Sequence, residues 1–142
     1  MFLEVQNIVK SFGREQVVKD LTFSLDAKKT LSILGKSGCG KTTMLKTIGG
    51  LVSPDSGYIR LKGEDITHKK PEKRNIVYLY QEDLLFPHLN AFENIAFGLR
   101  LKKIPDSTIQ DQVRHMLSSL ELESQSQKMP NQLSGGQRQR VS

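Results

Sequence analysis

The chain has 142 residues, 37% apolar and 25% charged, with a formal net charge of +6, which is ordinary for a single soluble globular domain. No apolar run approaches the ~20 residues of a membrane-spanning helix, and the start, Met1-Phe2-Leu3-Glu4-Val5-Gln6, lacks the basic stretch and apolar run of a secretory signal. A single cysteine, Cys39, excludes an intramolecular disulfide and fits a reducing cytoplasm.

In chain order, Phe2 to Val5 reads as a short strand and Gly13-Arg14-Glu15 as a turn. Leu21, Phe23 and Leu25 then alternate with polar residues, the period of a half-buried strand. Thr30-Leu31-Ser32-Ile33-Leu34 reads as a short buried strand. Lys41 to Ile48 reads as a helix with Met44, Leu45 and Ile48 on one face. Ser53-Pro54-Asp55-Ser56-Gly57 is dense in turn formers, and strands are expected at Tyr58–Leu61 and Asn75–Tyr80. The basic run His68-Lys69-Lys70-Pro71-Glu72-Lys73-Arg74 is short, broken by Pro and Glu, and free of the aromatics a nucleic-acid stacking platform needs. It reads as a solvated loop, and no nucleic-acid partner is expected.

The second half is helical. Asn90 with Glu93 three residues on resembles a capping box opening a helix from Ala91 to about Lys103. Pro105 breaks that pattern. Ile109, Val113, Met116, Leu117 and Leu120 then mark the apolar face of another helix. Glu123 to Gln132 is polar, contains Pro130, and reads as a linker.

The chemistry concentrates in Gly35-Lys36-Ser37-Gly38-Cys39-Gly40-Lys41-Thr42, which fits the P-loop pattern between a strand and a helix. The glycines let successive backbone N–H groups converge on an anion at a helix N-terminus. Lys41 brings a point charge to the β- and γ-phosphates, and the Thr42 hydroxyl is an oxygen ligand of the kind Mg²⁺ prefers. Cys39 reads as a small side chain fitting a crowded turn, with the alternative of a thiol whose modification blocks nucleotide. Downstream, Leu133-Ser134-Gly135-Gly136-Gln137 offers a second helix start, with Ser134 as cap and two glycines exposing N–H groups.

Two such motifs in this order make the chain resemble the nucleotide-binding domain of ATP-binding cassette (ABC) transporters over essentially its whole length. Within that family the segment Gln81 to Arg100 is most similar to importer ATPases of the polyamine, sugar, ferric-iron, sulfate and molybdate uptake type. The resemblance implies an α/β P-loop NTPase with an N-terminal antiparallel β subdomain and a helical subdomain, divided as 1–80, 81–132 and 133–142. Its core sheet would be incomplete, because the chain ends before the Walker B strand. ATP and Mg²⁺ are the implied ligands. Gly35, Lys36, Ser37, Gly38, Cys39, Gly40, Lys41, Thr42 and Thr43 would bind phosphate, Phe12 would stack on adenine, and Thr42 and Gln81 would contact Mg²⁺. Lys41 and Gln81 are the catalytic candidates. Ser134, Gly135, Gly136 and Gln137 would cover the nucleotide of a second, head-to-tail subunit.

Further partners implied are a membrane permease contacted near Phe86-Pro87-His88-Leu89 and a periplasmic or extracellular solute-binding protein, which places the chain at the cytoplasmic face of the membrane. His88 reads as a contact residue. Neither it nor His68 or His115 has metal-ligand spacing. The family's Walker B aspartate, catalytic glutamate and switch histidine have no counterpart up to Ser142. The expectation for residues 1–142 alone is therefore weak nucleotide binding without turnover. Two alternatives stay open: a soluble ABC ATPase acting on nucleic acid or the ribosome, and a nucleotide-binding module that never hydrolyses ATP.

Overall fold

The computed structural model describes all 142 residues, Met1 to Ser142. The chain divides into two compact units, residues 1–79 and 80–142.

The first unit is built on an antiparallel sheet of order β2-β1-β3-β4, formed by β1 (Leu3–Phe12), β2 (Glu15–Leu25), β3 (Ser56–Leu61) and β4 (Glu64–Asp65). β1 is longer than its expected Phe2–Val5 core because it pairs on both edges, with Leu3 opposite Leu25 on one side and Leu61 on the other. The expected turn closes the β1–β2 hairpin at Gly13-Arg14. Register shifts in this hairpin leave one residue in excess at three places, within Gln6-Asn7 of β1, within Lys19-Asp20 of β2 and at Val17. Such bulges increase twist and re-aim the backbone. Helix α1 (Lys41–Ile48) occupies the range expected for it. It packs Met44 and Ile48 against Val5, Ile8, Val18, Ile59 and Ile66, while Leu45 points to solvent.

The far end of α1 is held by Arg74. Its side chain is buried, and burial lowers its pKa. It donates to the carbonyls of Thr47 (2.9 Å), Ile48 (3.0 Å), Thr67 (2.7 Å) and Lys69 (2.8 Å). A cation at a helix C-terminus also meets the negative end of the macrodipole. Gly50, at φ +82°, lies so close that a Cβ would run into the Arg74 guanidinium.

Two expected strands do not form. Thr30–Leu34 and Asn75–Tyr80 enter no sheet. Ile33 and Ile76 pack on the core, but Leu34 is 93% exposed, Val77 85% and Leu79 77%. Their apolar composition suits a strand covered on both faces, and no segment of residues 1–142 supplies the neighbouring ladder.

The second unit packs α2 (Ala91–Leu101), α3 (Asp106–Ser119) and α4 (Gly135–Val141) around Phe92, Ala96, Ile109, Val113, Leu117, Leu122 and Leu133. Met116, assigned to the apolar face of α3, is 51% exposed. The capping box at α2 is only half made. Asn90 Oδ1 accepts from the Glu93 N–H at 2.8 Å, but the Glu93 carboxylate turns to Arg100 instead. The stretch expected as a linker is packed structure. It holds two 3₁₀ turns, Glu123–Gln125 and Pro130–Gln132. Its Lys128 and Ser126 carbonyls accept from the N–H groups of Ala91 (2.9 Å) and Phe92 (2.8 Å), donors the first turn of α2 cannot satisfy itself. No helix is long and apolar enough to cross a membrane.

Two glycine substitutions should act in opposite directions in thermal or urea unfolding followed by circular dichroism. Gly50→Ala, forced into positive φ against Arg74, should lose about 1–3 kcal/mol. Gly98→Ala, inside α2 with open space at its Cβ, should gain about 0.5–1 kcal/mol.

Candidate phosphate-binding site

The Gly35–Thr42 loop leads directly into α1, whose N-cap is Gly40 at φ 92° with no side-chain cap. A Cβ on Gly40 would lie 2.7 Å from the Val17 carbonyl oxygen. The residue is therefore required twice over, by its left-handed backbone and by the β2 bulge pressing on it. The uncapped N–H groups of the first turn of α1 remain available to an anion.

Lys41 folds back over the loop. Its ammonium donates to the Gly35 carbonyl (2.7 Å) and the Lys36 carbonyl (2.6 Å), with Cys39 Sγ at 3.7 Å. One positive charge is thus held by the loop's own backbone. Cys39 is exposed and unpaired. Ser37 and Thr42 are exposed, Thr43 is half-buried, and the Thr42 hydroxyl has no protein hydrogen-bond partner. Two clefts flank the loop. One of about 580 Å³ is lined by Val17, Val18, Ile33, Gly40, Lys41 and Met44, among others. A smaller one of about 260 Å³ is lined by Val17, Ser37, Gly38, Gly40, Lys41, Thr42 and Thr43. A third hollow, about 470 Å³, lies at the opposite end of α1 among Phe2, Leu25, Ile48, Leu61, Arg74 and Ile76. Its lining is mixed, with Lys62, Glu64, Lys73 and Asn75 beside the apolar residues, and the Arg74 donors there are already spent on carbonyls.

Phe12 ends β1, 52% exposed, with the Lys10 ammonium 5.5 Å from its ring centroid. No cluster of His, Cys, Asp and Glu could hold a metal by itself. Mg²⁺ keeps several waters and shares phosphate oxygens, and the unpartnered Thr42 hydroxyl is an oxygen of the type it accepts.

The second unit carries the remaining candidates. Gln81 is exposed near its start. Ser134 caps α4: its hydroxyl accepts from the Gln137 N–H (3.3 Å), and Gln137 Oε1 accepts from the Ser134 N–H (2.9 Å). This is a complete capping box. Gly135 and Gly136 are exposed. Arg138, the next residue, donates from Nε to Asp83 and from Nη1 to the Leu133 carbonyl at 2.9 Å, tying the start of α4 to the segment after Gln81. Phe86 packs its ring on Phe97 (centroids 4.4 Å apart) and edge-on to His88. Val17, Arg74, Asp83 and Arg138 carry no local signal of these roles, because each acts through a partner distant in sequence.

The family profile described as ABC transporter matches residues 18–142. The chain belongs to the ABC transporter family. A spermidine/putrescine import ATP-binding protein of Fusobacterium nucleatum is 47% identical over 140 residues, covering 99% of this chain and 37% of that protein. The corresponding protein of Aggregatibacter actinomycetemcomitans is 45% identical over 139 residues, covering 98% and 37%. A sulfate/thiosulfate import ATP-binding protein of Methylococcus capsulatus is 43% identical over 145 residues, covering 99% and 42%. The chain thus spans well under half the length of these ABC relatives. Among solved structures, a dimeric ATP-binding cassette in a post-hydrolysis state bound to ADP and Pi aligns with TM-score 0.85 and 30% identity, over 98% of this chain and 66% of that one. The fold is therefore that of the N-terminal part of an ABC-type P-loop NTPase, with its antiparallel β subdomain and helical subdomain.

The Arg138 guanidinium beside Asp83 holds that carboxyl below the usual carboxylate range. A lowered folded pKa stabilises fully above the ordinary value of about 3.9 and is lost as pH falls through the folded one. Acid unfolding of the second unit should therefore become less steep below about pH 4 in Asp83→Asn. Circular dichroism against pH checks this.

Proposed function

We propose that this chain is the nucleotide-binding part of an import ATPase subunit that binds MgATP and, in the complete protein, couples its hydrolysis to a membrane permease. The observation that carries this reading is the Gly35–Thr42 loop, with the Lys41 ammonium gathered over it and the uncapped N-terminus of α1 behind it. In this reading Lys41 leaves the Gly35 and Lys36 carbonyls for the β- and γ-phosphates. At ~4 Å and an effective dielectric of ~20 such a pair is worth about 4 kcal/mol before desolvation. The backbone N–H groups from Gly35 to Thr43 supply the rest of the cradle, and Phe12 stacks on the base. Bound Mg²⁺ would neutralise charge between the phosphates, with Thr42 as its protein ligand and Gln81 reaching it and the attacking water. Ser134, Gly135, Gly136 and Gln137 would close over the nucleotide of a second copy in a head-to-tail homodimer.

Importer function is supported by the polyamine and sulfate import proteins the chain resembles. Relatives named for such different cargo match at nearly equal identity, which argues that this segment does not select the cargo. A permease meeting the exposed Phe86–Leu89 segment, a solute-binding protein outside, and residence at the cytoplasmic face follow from the same reading. Residues 1–142 alone should not turn over. The one carboxylate lining the clefts beside the loop, Glu15, is exposed and has no partner to orient it as a base.

The test is a Mg·ATP titration beside a phosphate-release assay on residues 1–142. Lys41→Ala should weaken binding at least about tenfold, and no release should exceed the Lys41→Ala background. Unchanged affinity in Lys41→Ala would sink the phosphate site. Steady release abolished by Lys41→Ala would sink the binding-only reading of this segment.

A further inference from the structure

β1 outruns its neighbour. Its pairing with β3 ends at Val9 opposite Ser56, so Lys10, Ser11 and Phe12 have no strand on that edge. Asp55 takes the place of the missing strand. Its N–H donates to the Val9 carbonyl at 2.8 Å, and its carboxylate accepts from the Ser11 N–H at 2.6 Å and from Lys10 Nζ at 2.7 Å. One side chain thus continues the ladder for a further step and anchors the cation lying over the Phe12 ring. The Lys10 and Ser11 bonds hold the Asp55 carboxyl below the usual range, so it remains charged near neutrality.

The cation lies over the ring of a residue that is still 52% exposed. A ring presented in this way suits a flat aromatic ligand, since stacking needs a fixed plane and a cation behind the ring engages its π-cloud. We propose that Asp55 is a positioning residue of the nucleotide site: it sets the end of β1, and through Lys10 the plane of Phe12, against which the base stacks. The proposal rests on the reading of Phe12 as the base platform and adds Asp55 and Lys10 to it. Neither residue belongs to the phosphate cradle, so their contribution concerns the base alone.

That separation supplies the test. Affinities for Mg·ATP and for Mg·tripolyphosphate, which has no base, are measured at pH 7 by ligand-observed NMR, which reads weak binding. The proteins are the unaltered chain, Asp55→Ala, Lys10→Gln and Phe12→Ala, each checked by circular dichroism. Asp55→Ala should weaken ATP binding about threefold or more, part of the stacking contribution, and leave tripolyphosphate within about twofold. Lys10→Gln should act in the same sense and carries the test alone if Asp55→Ala does not fold. Equal losses for ATP and tripolyphosphate would mean a merely structural carboxylate and overturn the proposal. Unchanged ATP affinity in the Asp55 and Lys10 variants, with a loss in Phe12→Ala, would overturn it while leaving the base platform standing. Unchanged ATP affinity in Phe12→Ala would overturn both.

Discussion

The Val17 carbonyl pressed against Gly40 is the contact on which the first unit's chemistry depends. Val17 is the extra residue of a β-bulge, so its backbone leaves the ladder and faces the P-loop instead of β1. Gly40 accepts it because it has no Cβ and sits at φ 92°. That backbone angle also turns the chain from the loop into α1. A single close approach therefore sets where the N-terminus of α1 points, and the loop amides and Lys41 follow from it. β1 of the same hairpin ends at Phe12, so one element positions both the Gly35–Thr42 loop and the aromatic ring.

What holds α1 at its other end differs in kind. Arg74 gives its donors to four carbonyls and has no acidic partner, so helix ends and turns supply the compensating negative potential. A charge held this way is costly to leave unpaired. Helix α1 is thus fixed at its N-terminus by a steric fit and at its C-terminus by a buried cation, a rigid mount for the site proposed to take a triphosphate.

Features that are local in sequence were legible. The P-loop, the full extent of α1, the Gly13-Arg14 turn and the Ser134 cap all rest on residues a few positions apart. The loop's glycine pattern is local in this sense, but the Val17 carbonyl that fixes Gly40 is not, and neither is the partner that the leading segment Thr30–Leu34 lacks. The structure departs from the local pattern where the deciding partner is far away. Thr30–Leu34 and Asn75–Tyr80 have strand composition, but a strand also needs a neighbour, and composition cannot supply one. Glu123–Gln132 is polar, yet its carbonyls satisfy the N-terminus of α2, a role set by tertiary placement alone. Glu93 had the right spacing for a capping box and was drawn instead to Arg100, whose guanidinium offers a two-point ion pair. The Asp83–Arg138 pair spans 55 residues and left no trace in any local pattern.

The loop from Gly35 to Thr43 is proposed to receive the triphosphate of a nucleotide whose base lies on Phe12. Backbone amide NMR of residues 1–142 titrated with Mg·ATP tests it most directly, because N–H groups that bind phosphate report it themselves. Shifts should concentrate at Gly38, Gly40, Lys41 and Thr42, with a separate ring-current effect around Phe12. Shifts confined to the hollow beside Ile48 and Arg74, or absent from the loop at saturating nucleotide, would rule it out.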